Sequence, residues 1–333
     1  VRHSSMPTLK TVSRSPTNRI AAIDIGSNSI QMTVVERGTD GHLEVIERVK
    51  DAAQLRLGLD RNGLFSCETI ERTLKTLRRF LGVARQHGAP VVAYGTAALR
   101  AGRNSPDVVR RIEEEIGLKV KVLSGSEEGR VVYAGVCGGM PQMRAHRVVC
   151  GDVGGGSSEL VLGRNGRCEM VASVALGTLV VHRRLLNFDV VGAKEAQRAA
   201  QRISRRFILA AEAIGRRGFD HAIGTGGSIQ RIARLVQGIE GTLDGLDVHG
   251  FILSTKQLNG AITHLTKARS QDERIRLPGM DPQRADQLLG GALIYQALSR
   301  LWHLEGWTVS MSAFRRGMIE TAFADASIAE PLD

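Results

Sequence analysis

The sequence predicts an α/β fold built from two similar domains, and three observations lead to this prediction. Predicted strands and helices alternate along most of the chain, which is typical of α/β proteins. A strand–turn–strand pattern near the N-terminus recurs about one domain length further on. The length of 333 residues also favours two domains over one or three.

The composition is that of a globular protein with a surplus of basic residues. Hydrophobic residues make up 42% of the chain and charged residues 24%, which excludes a disordered chain. The longest apolar stretch (170–181) is far shorter than the roughly 18 to 20 residues that cross a bilayer, so a membrane-spanning protein is excluded. The net charge of +11 fits nucleic acid, an acidic membrane or a polyanionic substrate equally well.

The N-terminus and the cysteines bear on targeting and redox state. Residues 1–18 are basic, contain no acidic residue and lack the apolar core of a secretory signal, so we expect a disordered basic tail. The four cysteines, Cys67, Cys137, Cys150 and Cys168, show no CxxC spacing. This pattern predicts free thiols in a reducing cytoplasm and no zinc site.

The recurring pattern is a hairpin with an acidic residue beside its turn. Residues 20–35 read IAAIDIGSNSIQMTVV, and residues 148–162 read VVCGDVGGGSSELVL. Aligning Asp24 with Asp152 also aligns Gln31 with Glu159, at an offset of 128 residues. In each copy an apolar run ends in Asp, a Gly/Ser turn follows and apolar residues resume, as in a β-hairpin.

The remaining elements follow in chain order. In the first half we expect helices at 66–87 (capped by Ser66), from about 97, at 106–115 and from 127, with strands at 89–94 and 119–123. In the second half we expect helices at 192–215, 283–301 and 313–324, and a strand, turn and helix over 221–235 with Ser228 at the cap position. An arginine row on the 192–215 helix is either a solvated face or a guide for a polyanion.

Glycine-rich turns are the candidate binding elements. Gly numbers 38 of 333 residues, or about 11% against a usual ~7%. In such turns backbone N–H groups converge on an anion, and the missing Cβ lets phosphate oxygens approach. Asp24 and Asp152 each end a strand beside such a turn and could hold Mg²⁺, with Glu159 on the returning strand. A third turn, GTGG, opens a helix at Gly226 and Gly227, whose N–H groups would face an anion. A single DxG usually only makes a turn, but two matched copies and a third glycine-rich turn favour a phosphate-binding cleft.

Two further motifs each leave two interpretations open. SGSEEG (124–129) offers a carboxylate that would act as a general base, or acids that merely cap a helix. Arg100 would hold a phosphate by bidentate contact, or simply lie on the surface.

Six motifs together resemble one family. AAIDIGSNSIQM, AYGTAALRAGRN, VLSGSEEGR, GDVGGGSSELVLG, AIGTGGSIQRIARL and LPGMDPQRADQLLGGALIYQAL occur in this order. They resemble the exopolyphosphatase/guanosine pentaphosphate phosphohydrolase (Ppx/GppA) family over residues 20–324. This resemblance implies the superfold of actin, sugar kinases and heat-shock chaperones, with two ribonuclease-H-like domains around a central cleft. Domain I would span 19–129 and be completed by a C-terminal helix at about 311–326, and domain II would span 130–310.

The resemblance also implies roles for individual residues. Glu128 would be the general base, and Asp152 and Glu159 would position the metal and the water. Asp24 would be the acid of the first phosphate loop and a metal ligand with Asp152 and Glu159. The implied phosphate contacts are Gly26, Ser27, Asn28, Ser29, Arg100, Gly154, Gly155, Gly156, Ser157 and Ser158. In the last motif, the common form S-D-G-x-x-R-E-G is altered to Met311, Ser312 and Arg316 at its Asp, Gly and Glu positions.

We therefore expect a Mg²⁺-dependent hydrolase, with Mn²⁺ as a possible substitute, that removes orthophosphate from the end of inorganic polyphosphate. The alternative is hydrolysis of pppGpp to ppGpp by the same groups. A sugar kinase of the same superfold and a non-catalytic polyanion-binding protein are more distant alternatives. Aromatic residues make up only 4%, which argues against nucleic-acid binding by base stacking. The chain lacks the His-Asp-rich C-terminal domain of longer family members, which favours short polyphosphates. The resemblance also implies a homodimer.

Overall fold

A computed structural model describes residues 18–186, 190–245, 247–325 and 328–329. In these ranges the strands are β1 (Arg19–Ile25), β2 (Ile30–Arg37), β3 (Leu43–Asp51), β4 (Val91–Gly95), β5 (Lys121–Val122), β6 (Val148–Val153), β7 (Ser158–Arg164), β8 (Arg167–Val174), β9 (His221–Thr225), β10 (Ile252–Ser254) and β11 (Gly306–Val309). The helices are α1 (Cys67–Gln86), α2 (Ala97–Ala101), α3 (Ser105–Ile116), α4 (Gly125–Gly139), α5 (Thr178–Leu185), α6 (Ala193–Gly215), α7 (Gly226–Glu240), α8 (Thr255–Lys267), α9 (Gln271–Ile275), α10 (Leu288–Trp302) and α11 (Phe314–Ala324). The predicted tail, apart from residue 18, lies outside the described residues.

Two sheets repeat one topology. The first has the strand order β3-β2-β1-β4-β5, and the second has the order β10-β11-β9-β6-β7-β8. In both, a three-stranded antiparallel meander continues into parallel strands. Asp24 pairs with Gln31 across the first hairpin, and Asp152 pairs with Glu159 across the second. The alignment found in the sequence is therefore a structural equivalence, and the predicted α/β class with duplicated hairpins is confirmed.

Local capping sequences start two helices of the first half, α1 and α4. Ser66 caps α1 by accepting a hydrogen bond from the N–H of Thr69 (3.2 Å). Ser124 and Glu127 form a capping box that starts α4 two residues earlier than predicted. None of the helices in the described ranges is long and apolar enough to cross a membrane.

Helices α4 and α11 form a closely packed pair between the two sheets. Val132 of α4 packs with α11 against the first sheet, whereas Tyr133 and Val136 pack against the second. The two helices approach through glycines, because a Cβ on Gly317 would lie 1.8 Å from the carbonyl oxygen of Val131. Helices α1 and α3 cover the remaining face of the first sheet. Helices α6, α7, α8 and α10 cover the remaining face of the second sheet.

Substituting Gly317 with Ala should therefore destabilise the protein, because the helices must separate to admit a methyl group. We expect a loss of about 1–3 kcal/mol in the free energy of unfolding, measured by denaturant titration. Gly260→Ala is the control, because Gly260 lies in α8 with no atom near its would-be Cβ. That substitution should stabilise slightly. Equal effects of the two substitutions would contradict the packing argument.

Ser228 is not the helix cap that the sequence predicts. Helix α7 begins at Gly226, and the Ser228 hydroxyl instead donates to the carbonyl oxygen of Val153 (2.7 Å). The helix starts earlier because Gly226 adopts φ +82° directly after β9, which turns the chain before Ser228 is reached. Similarly, the predicted helix at 283–301 begins only at Leu288, after a 3₁₀ turn at Pro282–Arg284.

Candidate active site

The turns of the two hairpins face each other across a cleft. We call residues 26–29 the first loop and residues 154–157 the second loop. A Cβ on Gly156 would lie 2.6 Å from the Ser27 hydroxyl, and one on Gly155 would lie 3.3 Å from the Cβ of Ser27. Only glycines allow the loops to approach this closely.

A cavity of about 530 Å³ opens between the loops. Residues of both sheets, α7, α11 and the start of α10 line it, as does Glu128 at the start of α4. Ten of the predicted phosphate-contacting residues line this cavity: Gly26, Ser27, Asn28, Ser29, Gly154, Gly155, Gly156, Ser157, Gly226 and Gly227.

Three carboxylates line the same cavity: Asp24, Glu128 and Asp152. Burial raises the pKa of Asp24 to about 7 and that of Asp152 to about 7. The charge of Glu128 contributes to both shifts, and Asp24 adds to the shift of Asp152. Arg315 opposes both shifts and lies 3.8 Å from Asp24 Oδ2. The cavity therefore concentrates negative charge that a cation would stabilise.

Arg100 forms a hydrogen-bonded ion pair with Glu128. The Arg100 guanidinium donates to Glu128 Oε2 and, at 2.9 Å, to the carbonyl oxygen of Leu123. It also reaches the Ser157 hydroxyl (3.4 Å) and lies 3.7 Å from Glu159. Burial raises the pKa of Glu128 above its usual range, and Arg100 opposes that shift.

Three predicted site residues do not line the cavity. Arg100 is occupied by the contacts just described and faces Glu128 and Glu159 rather than the cavity. The hydroxyl of Ser158 is fully buried and donates to the carbonyl oxygen of Leu176 (2.7 Å).

Glu159 is 1% exposed and accepts a hydrogen bond from Ser173 (2.8 Å). Its pKa is raised well above the usual range by burial, then by Glu128 and Asp152. The motif places Ser158 and Glu159 beside the second turn, but it does not show on which side of β7 each side chain lies.

The third glycine-rich turn lies against Asp152. A Cβ on Gly226 would lie 2.2 Å from Asp152 Oδ1, and the positive φ of Gly226 also favours glycine. Helix α7 starts here without a side-chain cap. Its first N–H groups therefore have no side-chain partner and lie beside the cavity.

The chemistry of the carboxylates fits a divalent cation held partly by substrate. Among the described residues, no group of three or more His, Cys, Asp and Glu side chains is close enough to hold a metal. Of the predicted metal ligands, Asp24 and Asp152 line the cavity, whereas Glu159 is buried away from it. Mg²⁺ is commonly held by one or two carboxylates together with waters and phosphate oxygens, which this pair allows.

Cations on the cavity walls are a feature that the sequence reasoning missed. Lys50 of β3, Arg231 of α7 and Arg284 line the cavity together with Arg315. Burial lowers the pKa of Lys50, and the positive charges of Arg284 and Arg231 lower it further. Arg284 lies in the motif LPGMDPQRADQLLGGALIYQAL, and Arg315 lies in the altered C-terminal motif. Lys50 lies on β3 outside all of the motifs.

The altered C-terminal motif forms part of the cavity wall. Met311 lines the cavity, and its backbone N–H donates to Nδ1 of His249 (3.1 Å). Gly139 leaves room for Ser312, because a Cβ there would lie 2.1 Å from the Ser312 hydroxyl. Arg316 is paired with Glu320 (2.9 Å).

Residues 34–324 match the model of the Ppx/GppA phosphatase family. The chain belongs to this family. A Haemophilus influenzae protein named "Putative exopolyphosphatase" is 28% identical over 320 residues, which cover 95% of each chain. The crystal structure of the Aquifex aeolicus family member has a TM-score of 0.79 at 25% identity and covers 92% of this chain and 98% of its own. A Cytophaga hutchinsonii exopolyphosphatase structure has a TM-score of 0.83 at 24% identity, with the same coverage. The Ppx/GppA chain thus shares its α/β fold with solved members of the family.

Proposed function

We propose that this Ppx/GppA phosphatase is an exopolyphosphatase that hydrolyses the terminal phosphoanhydride of inorganic polyphosphate and releases orthophosphate. The observation that carries the proposal is the cavity between the two loops, which is lined by three carboxylates and by cations of β3, α7, α11 and the 3₁₀ turn before α10. Backbone N–H groups and cations suit a chain of phosphates, and the carboxylates suit the metal and water that hydrolysis needs.

In this mechanism the two loops hold the terminal phosphates by backbone N–H groups and the hydroxyls of Ser27 and Ser157. Asp24 and Asp152 would hold Mg²⁺, which neutralises phosphate charge when bound. Glu128 orients a water in line with the terminal phosphorus and accepts its proton. Arg315 lies beside Asp24 and offsets negative charge there. Phosphoryl transfer needs little covalent help, so positioning and charge neutralisation provide most of the acceleration.

One observation favours a second substrate, pppGpp. One part of the cavity lining is apolar, formed by Val35, Leu43 and Val45 of the first sheet and by Phe314 and Ile319 of α11. A nucleobase would bury apolar surface there, whereas inorganic polyphosphate would not.

A phosphate-release panel tests the proposal. Orthophosphate release is measured from tripolyphosphate, long-chain polyphosphate and pppGpp, each with Mg²⁺, with Mn²⁺ and with a chelator. We expect kcat/KM to be highest for a polyphosphate and activity to be lost with the chelator. A higher kcat/KM for pppGpp would replace the proposed substrate with the nucleotide. Nucleotide consumption that depends on an added sugar would instead indicate a kinase. Polyphosphate binding that is the same with and without Mg²⁺, together with no turnover, would indicate a binding protein.

A further inference from the structure

Three arginines flank the two loops outside the cavity. We call Arg56, Arg183 and Arg184 the rim arginines. Arg56 lies on a 3₁₀ turn (Leu55–Gly58), and its backbone N–H donates to the carbonyl oxygen of Ser27 in the first loop (2.9 Å). Arg183 and Arg184 lie in the last turn of α5.

Helix α5 is in turn attached to the second loop. The N–H groups of Thr178 and Leu179, its first two residues, donate to the carbonyl oxygens of Gly154 (2.9 Å) and Gly155 (3.0 Å). Each loop is thus joined by backbone hydrogen bonds to an element that carries one or two of the rim arginines. Thr178 and Ser27 also line the cavity, so these elements border it.

The rim arginines form a cluster of like charge. The elements that carry the rim arginines meet at the loops, where a Cβ on Gly155 would lie 3.1 Å from Leu179 of α5 and 3.3 Å from Ser27, the residue that accepts the hydrogen bond of the Arg56 N–H. Burial lowers the pKa of Arg56, and the positive charges of Arg184 and Arg183 lower it further. Within the described part of the chain, none of the three has an ion pair or a side-chain hydrogen bond. Arg183 and Arg184 are exposed, and Arg56 is half-buried. Gathering three cations without a carboxylate costs free energy that a bound anion would offset.

We propose that the rim arginines form an outer anion subsite, which binds internal phosphates of a polyphosphate chain while its end occupies the cavity. This proposal rests on the proposed function for the orientation of the chain. Guanidinium groups bind phosphate by bidentate hydrogen bonds, and a linear polymer with a charge on every unit can reach the inner and outer cations at once. A short chain that fits wholly inside the cavity cannot reach the rim arginines. The subsite therefore favours long polyphosphates.

The test compares chain lengths in the double variant Arg183→Gln/Arg184→Gln. We expect the KM for long-chain polyphosphate to rise about tenfold, which corresponds to the loss of one or two charge-assisted hydrogen bonds. The KM for tripolyphosphate should rise much less. The control Arg164→Gln/Arg167→Gln removes the same charge from exposed positions at the end of the β7–β8 hairpin opposite the second loop, and it should not change the ratio of the two KM values. A ratio shifted equally in both double variants, or in neither, overturns the subsite.

Two further measurements keep this test separate from the proposed function. Arg183→Lys/Arg184→Lys keeps the charge and should retain most of the long-chain affinity, which guards against a folding defect in the glutamine variant. Direct binding of long-chain polyphosphate is measured by calorimetry for the wild type and both double variants. Loss of affinity only in the rim variant supports the subsite even if the wild type releases no orthophosphate. Turnover of polyphosphate with equal affinities in all three proteins supports the activity and overturns the subsite.

Discussion

Substitution of Glu128 with Gln is expected to lower kcat for orthophosphate release from polyphosphate about 10²- to 10⁴-fold, because the amide cannot accept the proton of the attacking water. The side chain lines the cavity and is held by Arg100, so the substitution removes the proton acceptor while keeping its shape. The KM should change little, since the phosphate-binding loops remain intact.

The neighbouring acid provides the control for this experiment. Glu127 forms a capping box with Ser124 and an ion pair with Lys121 (2.9 Å), and it does not line the cavity. Glu127→Gln keeps the capping interaction and should retain nearly full kcat. A drop of less than roughly tenfold for Glu128→Gln would mean that another group takes the proton.

Replacing Arg100 with Gln is expected to have the second-largest effect, visible in the pH profile of kcat. Burial raises the pKa of Glu128, and Arg100 lowers it. Without Arg100 the pKa of Glu128 rises further, so the base becomes deprotonated only at higher pH. The acid limb of the profile should move up by about 1–3 pH units, and kcat at neutral pH should fall by about tenfold or more.

Two substitutions bracket this result. Arg100→Lys keeps a positive charge beside Glu128 and should move the acid limb less than Arg100→Gln. Arg103→Gln removes an exposed charge three residues away and should leave the profile in place. If Arg100→Gln raised only the KM, with an unmoved profile, the residue would be a substrate contact, as the family resemblance implies.

The duplicated hairpin is the feature that the sequence predicted best. Periodicity, the Asp before each turn and the glycines are local properties, and the structure confirms them as equivalent strand pairs. The predicted helix cap at Ser66 is likewise local, because its capping hydrogen bond spans only three residues. The domain boundaries at 129 and 310 remain predictions, since α4 packs against both sheets.

The direction of side chains relative to the cavity was beyond sequence reasoning. Arg100 and Glu159 belong to motifs, but the motifs do not show that Arg100 contacts the carboxylates of Glu128 and Glu159. Nor do they show that Arg100 does not line the cavity. Lys50 shows the converse: it lines the cavity without any motif, because β3 is an edge strand that only tertiary packing brings to the cleft.

The sequence by itself determined that two acid-bearing hairpins exist and that they are equivalent, because turn chemistry and strand periodicity depend on neighbouring residues. Only the tertiary structure decided which charges meet across the cleft. Long-range packing of two sheets around α4 and α11 sets those distances, and electrostatic interactions depend on distance and burial rather than on order along the chain.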